Sequence, residues 1–340
     1  MPKVLIIRFS SIGDIVLTTP VLRCIRMQTG AELHFLTKEN FRSVVEHNPH
    51  VGRVHTIRKK VSEVLPALKA EGYDFVVDLH RNLRSWQVKT ALGVPSKSFD
   101  KLNWEKWLLV NLGINRLPRL HIVDRYLAAA APLGVQNDGL GLDYFIPETD
   151  EEAAQDFLTA HFGGGVPAFI ALVTGAAHAT KRLPEARLIE LCRLMTMPVV
   201  LLGGPDEQEQ GERIAAQGGA HVVNACGKLK LNQSAGVLRR AQTVVTHDTG
   251  LMHIAAALGK DIVSIWGNTV PEFGMTPYIP GEDASGKILE VKGLSCRPCS
   301  KIGHQACPKG HFRCMNDIDF SEIINWRSDT PDRASASTIP

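Results

Sequence analysis

The sequence predicts an α/β protein built from two Rossmann-like, doubly wound domains that face each other across a cleft. Three observations predict it. Short runs rich in Val and Ile alternate with helical patterns, the signature of parallel sheets covered by helices. The alternation fades after about residue 140 and then restarts, so it occurs twice in series. A chain of 340 residues is long enough for two domains of ordinary size.

The elements follow in order. In the first half "KVLIIRF" (3–9), "ELHFLT" (32–37), "RVHTI" (53–57) and "DFVVDLH" (74–80) read as strands. "PVLRCIRMQT" (20–29) reads as a helix, with Thr19 as its N-cap, Pro20 at its first position and Gly30 at its stop. "DYFIPETDEEAAQDFLTAHFGGGVP" carries prolines, acids and a glycine triplet, so the domain boundary is placed there, giving domains 1–150 and 151–326. In the second half "AFIALVT" (168–174), "PVVLLGG" (198–204), "AHVVN" (220–224), "QTVVTH" (242–247) and "DIVSIWG" (261–267) read as strands. Helices are expected at about 184–196, 206–217, 232–240 and 250–258. The polar tail "RSDTPDRASASTIP" (327–340) is expected to be disordered.

Composition bounds the function. Hydrophobic residues are 44% and charged residues 21%, an ordinary globular balance. No apolar run reaches the roughly 18–20 residues of a membrane span. "MPKVLIIRFSS" lacks a small-residue cleavage site and reads as a first strand, which favours the cytoplasm. The seven cysteines are then expected to be reduced thiols or metal ligands. The net charge of +3 is uneven: residues 1–150 hold 20 Lys/Arg against 15 Asp/Glu, and the remainder 18 against 20. A basic first half suits an acidic partner or an anionic membrane surface, or is simply a solvated face.

Four strand-end loops are candidate sites, because ligands of doubly wound sheets bind outside the carboxyl ends of strands. In "FSSIGDIVLTTP" (9–20), Ser10, Ser11 and Gly13 allow a tight loop and Asp14 falls near a helix start. Ser11 or Asp14 could equally serve only as a cap. The dinucleotide fingerprint G-x-G-x-x-G is missing, which counts against a nicotinamide enzyme. In "VTGAAHATKRLP" (173–184), Thr174, Gly175, Lys181 and Arg182 follow a strand, and a cation there can hold a phosphate or sit in a solvated turn. In "LLGGPDE" (201–207), Gly203 and Gly204 allow close approach of a ligand, and an acid such as Asp206 suits ribose hydroxyls or an ordinary helix start. In "THDTGLMHIAAALG" (246–259), the N–H groups of Thr249, Gly250 and Leu251 are expected to be unpaired at a helix N-terminus, an anion site, with Asp248 able to cap the helix and His253 one turn in.

A fifth stretch, "SCRPCSKIGHQACPKGHFRCM" (295–315), holds Cys296, Cys299, Cys307 and Cys314, with His304 and His311 among them. Clustered cysteines in a cytoplasmic protein suggest a structural zinc site; free thiols or oxidation-formed disulfides are the alternatives.

Together "RFSSIGDIVLTTP", "DFVVDLHRNLRS", "TKRLP", "LLGGPDE", "GKLKLNQSAGVLRRAQTVVTHDTGLMHIAAALG" and "CRPC…CPKGHFRCM" resemble the ADP-heptose:lipopolysaccharide heptosyltransferases, glycosyltransferase family 9. The resemblance covers the chain to about residue 320. It implies a GT-B fold and an inverting sugar transfer with no catalytic metal or cofactor. It implies that the first domain binds the lipopolysaccharide acceptor and the second binds ADP-heptose, on or near the inner membrane, with no nucleic acid involved. By similarity Asp14 matches the proposed general base, Lys181 the lysine on the donor diphosphate, and Asp248, Thr249, Gly250 and His253 the donor loop. Arg81, Arg84 and Lys89, after the strand "DFVVDLH", are expected to meet acidic groups of the acceptor. Family members often read K-x-W-P. Leu183 stands here in place of the tryptophan, so donor preference is expected to differ if that bulk touches the sugar. The alternatives are another GT-B nucleotide-sugar enzyme, with a different sugar or as an epimerase, and a non-catalytic lipopolysaccharide-binding protein.

Overall fold

The computed structural model describes residues 1–280 and 286–326; the tail expected to be disordered at 327–340 lies outside the described residues. The first sheet holds β1 (Lys3–Ile7), β2 (Glu32–Lys38), β3 (Arg53–Ile57), β4 (Phe75–Asp78) and β5 (Ser96–Ser98), in the order β3-β2-β1-β4-β5. The second holds β6 (Ile170–Val173), β7 (Val199–Leu202), β8 (Val222–Asn224), β9 (Thr243–His247), β10 (Asp261–Trp266) and β11 (Gly286–Glu290), in the order β11-β10-β9-β6-β7-β8. Every pairing is parallel, as in Val4 beside Leu33 and Phe75, or Leu172 beside Val245. Each sheet reverses its winding once, between β1 and β4 and between β6 and β9. These are the switch points, where doubly wound sheets open a crevice.

The sequence explains why β1 sits centrally. Val4 and Ile6 enter one apolar core while Leu5 and Ile7 enter another on the opposite face, so "KVLII" has no polar side to expose. The strands not foreseen are β5 and β11, both at sheet edges. β5 is Ser-Lys-Ser, three residues with no apolar signal.

Two expectations about helices need correction. The helix Thr19–Thr29 is capped by Thr18, not Thr19, and Pro20 is its second residue. The Thr18 and Thr19 hydroxyls instead donate back to the carbonyls of Ile15 and Val16, at 2.7 and 2.8 Å. Gly30 stops the helix with φ 67, as expected. The stretch chosen as the boundary contains a 15-residue helix, Glu148–Phe162. Pro147 before it, acids in its first turn and Gly163 after it are helix-end signals, although the same composition reads as a linker. This helix packs on the helix Leu231–Arg240. A Cβ on Gly236 would lie 2.7 Å from that of Ala154, so only glycine allows the approach.

The largest apolar core runs through both halves, from Val4 and Val16 to Ala171 and Met252. Where the halves meet, the helix Ile12–Val16 touches the helix Gly250–Ala257. No described helix is long and apolar enough to cross a membrane.

Candidate active site

Both helices in that contact start at strand ends beside the two switch points. Their contact depends on two glycines. A Cβ on Gly13 would lie 2.5 Å from Cδ2 of His253 and 3.3 Å from Cα of Gly250; one on Gly250 would lie 2.8 Å from Cβ of Ile12. The 2.5 and 2.8 Å distances are too short for real carbon atoms. The backbones of the two loops therefore come as close as chains can, and a cleft of about 1260 Å³ opens beside them.

Asp14 lines that cleft. Its carboxylate takes an ion pair from Nη2 of Arg8 at 2.6 Å and accepts from the Ser11 hydroxyl at 2.8 Å and the Ser11 N–H at 3.2 Å. Burial pushes its pKa up, but the Arg8 charge and the Ser11 hydrogen bonds more than offset this and hold it below the usual carboxylate range. Asp14 is thus an anion fixed at the foot of the cleft. The capping reading holds as well, since Asp14 bonds back to Ser11, but a cap alone does not need a buried arginine partner.

Across the contact, Nζ of Lys181 lies 2.6 Å from Asp248, whose same oxygen also accepts from the Thr269 hydroxyl at 3.0 Å. Asp248 does not cap the helix. Thr249 is the N-cap, its hydroxyl accepting from the Leu251 N–H at 3.1 Å, so that N–H is already paired, contrary to expectation. Thr249, Gly250 and Leu251 still line the cleft. His253 is buried, and burial lowers its pKa to about 4, so it is neutral near pH 7.

Gly175, Gly203, Gly204 and Asp206 also line the cleft. These glycines face the cleft, while Glu207 fills the side of Gly175 and Gly203 on which a Cβ would stand. A Cβ on Gly175 would lie 2.9 Å from its carboxylate carbon, and one on Gly203 2.9 Å from its Cβ. Glu207 accepts from the Gly204 N–H at 2.9 Å and pairs with Arg182 at 3.1 Å, tying the two loops together. Thr174 is fully buried with its hydroxyl on Leu202 O at 3.3 Å, outside the lining. Ser10 contributes its carbonyl to Arg8 at 2.8 Å rather than a side chain to the cleft. Leu183 is buried in the second sheet's core, its N–H donating to His247 at 3.0 Å, so the bulk that replaces tryptophan does not face the cleft.

The basic residues chosen for the acceptor lie elsewhere. Arg81 pairs with Asp100 at 2.8 Å, Lys89 pairs with buried Asp78 at 3.0 Å, and Arg84 is exposed; none of the three lines the cleft. Its first-half wall is made instead by Arg8, His80, Lys101, Asn103 and Lys106. Lys106 falls to about 8, through burial and then the nearby Arg125 charge. Lys228 and Lys230, in the "GKLKL" loop, and Lys301 were also missed. In all, eight lysines and arginines line the cleft against four carboxylates, an excess suited to a polyanion.

Lys301 comes from the cysteine segment, which is not remote from the site. His304 accepts from the Thr180 N–H at 3.1 Å and donates its own N–H to the Thr180 hydroxyl at 2.8 Å, bracing the loop that carries Lys181. All four cysteines there are free thiols. Thiolates on one tetrahedral zinc stand about 3.8 Å apart. Among the described residues, the group whose potential ligand atoms all lie within 4.8 Å is His34, His55 and Glu71, not the cysteines. As placed, no three of the four sulfurs lie within 4.8 Å of one another.

A family model described as glycosyltransferase family 9 (heptosyltransferase) matches residues 61–306. Lipopolysaccharide heptosyltransferase 1 of Pseudomonas aeruginosa is 27% identical, over 98% of this chain and 96% of its own. Its namesake from Escherichia coli is 28% identical over 79% of this chain and 89% of its own. An E. coli heptosyltransferase solved with ADP superposes with a TM-score of 0.64 at 26% identity, over 84% of this chain and 93% of that one. A glycosyltransferase family 9 structure from Veillonella parvula superposes at 0.77 with 23% identity over 96% of both, a likeness of fold. The two facing parallel sheets are therefore a GT-B fold, and the chain belongs to glycosyltransferase family 9, the heptosyltransferase family.

Proposed function

We propose that this chain transfers heptose from ADP-heptose to the inner core of lipopolysaccharide, with inversion at the anomeric carbon. One observation carries the reading. Gly13 against Gly250 brings a fixed carboxylate from one sheet's switch point to the cationic, helix-start loop of the other. The similar E. coli enzyme was solved with ADP, and a second structure of it with a fluorinated ADP-heptose.

In this reading the first domain, 1–150, receives the acceptor and the second, 151–326, the donor. The Asp14 carboxylate takes the proton from an acceptor hydroxyl as that oxygen bonds to the anomeric carbon. The bond to the diphosphate oxygen breaks, and its electrons leave with ADP. Arg8 keeps Asp14 ionised and aimed. Lys181 and the N–H groups at the helix start stabilise the charge growing on the leaving diphosphate. When phosphate oxygens arrive, Lys181 exchanges part of its bond to Asp248 for them. The nucleotide-side loops, including Gly203, Gly204 and Asp206, hold the rest of the donor. The acceptor is lipid-borne, so the enzyme works peripherally at the inner membrane.

A structural zinc on Cys296, Cys299, Cys307 and Cys314 belongs to this proposal only if the sulfurs draw together. Elemental analysis decides it: about one zinc per chain supports it, and less than about 0.2 with four titratable thiols refutes it. The function itself is tested by mass spectrometry of the lipopolysaccharide core from a deletion strain. Loss of one heptose, restored by the gene, is expected; an unchanged core refutes the reading.

A further inference from the structure

The helix Asn103–Leu112 is built inside out for a surface helix. Leu108 is its buried apolar residue, while Trp104 and Trp107 point outward, 65% and 47% exposed. Their rings stack with centroids 5.3 Å apart and planes 8° apart. The chain then runs fully exposed from Asn111 through Arg116, presenting Leu112 and Ile114 to water. Two outward indoles and two outward aliphatics on one short segment are not explained by this chain's own packing.

Charge says what covers them. Residues 103–120 hold Lys106, Arg116 and Arg119 against one acid, Glu105. Amphipathic indoles beside arginines that pair with no acid among the described residues are the composition of a segment lying in an anionic lipid interface. The helix has only ten residues, so it lies on a bilayer rather than crossing it. Its inner side points the other way: Asn103 and Lys106 line the cleft, and Nζ of Lys106 sits 5.8 Å from the ring centre of Phe273 in the second half.

We propose that Trp104, Trp107, Leu112, Ile114, Arg116 and Arg119 form a docking surface for an anionic bilayer, placing the mouth of the cleft at the headgroups. It rests on the proposed function only in explaining why the cleft should be held there; binding itself is independent of transfer. The test is flotation with phosphatidylcholine vesicles, with and without about one third phosphatidylglycerol, together with tryptophan emission. Binding to the anionic vesicles alone is expected, with a blue shift, and release at about 0.5 M salt. Removing both indoles (Trp104→Gln with Trp107→Gln) should weaken partitioning by roughly tenfold or more. Arg116→Gln with Arg119→Gln should weaken it by roughly twenty-five-fold, about fivefold per charge. Both variants should keep wild-type transfer to a soluble, deacylated core acceptor. Wild-type protein that ignores anionic vesicles overturns the proposal, as do variants that bind as well as wild type. So does a concentration-dependent dimer that the indole variant abolishes, since a second copy would then cover the face. Vesicle binding without any heptose transfer would refute the proposed function and leave this surface standing.

Discussion

Replacing Gly13 with alanine probes the contact between the two halves. The new Cβ would lie 2.5 Å from Cδ2 of His253, about 1 Å inside carbon contact distance. His253 is buried where the two helices touch, so its ring can yield only by disturbing that contact. Overpacking of this kind costs about 1–3 kcal/mol, and alanine in place of a helical glycine returns about 1 kcal/mol. The net change in stability is small, a fall of a few degrees in Tm. Relief comes from pushing the Asp14 loop about 1 Å from the loop that carries Gly250, and a misplacement of that size costs roughly a hundredfold in rate. The expected result of paired thermal unfolding and ADP-heptose transfer assays is a near-native Tm with kcat/KM down about ten- to a hundredfold. Wild-type kcat/KM in Gly13→Ala would refute the reasoning, and so would a loss of activity fully matched by unfolding.

Three further outcomes are expected. Lys181→Ala should weaken ADP binding by roughly thirty- to a thousandfold in calorimetry, because it removes a cation and leaves Asp248 as an unpaired anion in the phosphate path; unchanged affinity would contradict the role. Arg8→Gln should move the acid limb of the kcat/KM–pH profile upward, since Arg8 is the charge that offsets burial at Asp14; an unmoved limb would show that Asp14 does not set it. Burial lowers His80, His247 and His253 to about 4, so below pH 6.5 the unfolded chain binds protons that the folded chain does not. Folding stability should therefore be intact above pH 6.5 and fall as the pH drops towards 4, with a shallower fall in His247→Gln; urea titrations with equal midpoints at pH 7 and pH 5 would contradict this.

What was legible in the sequence followed from local rules. β1 and β6 read clearly because both their faces are buried, so apolar residues run without a break. The loops carrying Asp14, Lys181 and Gly250 were found because switch-point chemistry sits just after such strands. The rest depended on tertiary partners. Nothing local says that Asp248, the stronger capping residue, will meet Lys181 and leave the cap to Thr249. Gly203 was read as allowing close approach of a ligand, but the group packed where its Cβ would stand is Glu207, which local sequence marks only as an acid at a helix start. Lys89 looked like a free cation because Asp78, its partner, ends a strand eleven residues earlier. Lys101 and Lys106 reach the cleft from a loop and the helix that follows it, neither carrying a motif, so only the fold reveals them.

The central claim is that Asp14 takes the acceptor's proton within a donor site that it does not itself build. Asp14→Asn keeps the shape and the bonds from Ser11 while removing the base. Transfer measured at saturating ADP-heptose, alongside ADP binding by calorimetry, tests the claim most directly. The account predicts a kcat lower by roughly a hundred- to ten-thousandfold with ADP affinity little changed. Turnover within about threefold of wild type would contradict it, because a general base contributes far more than that.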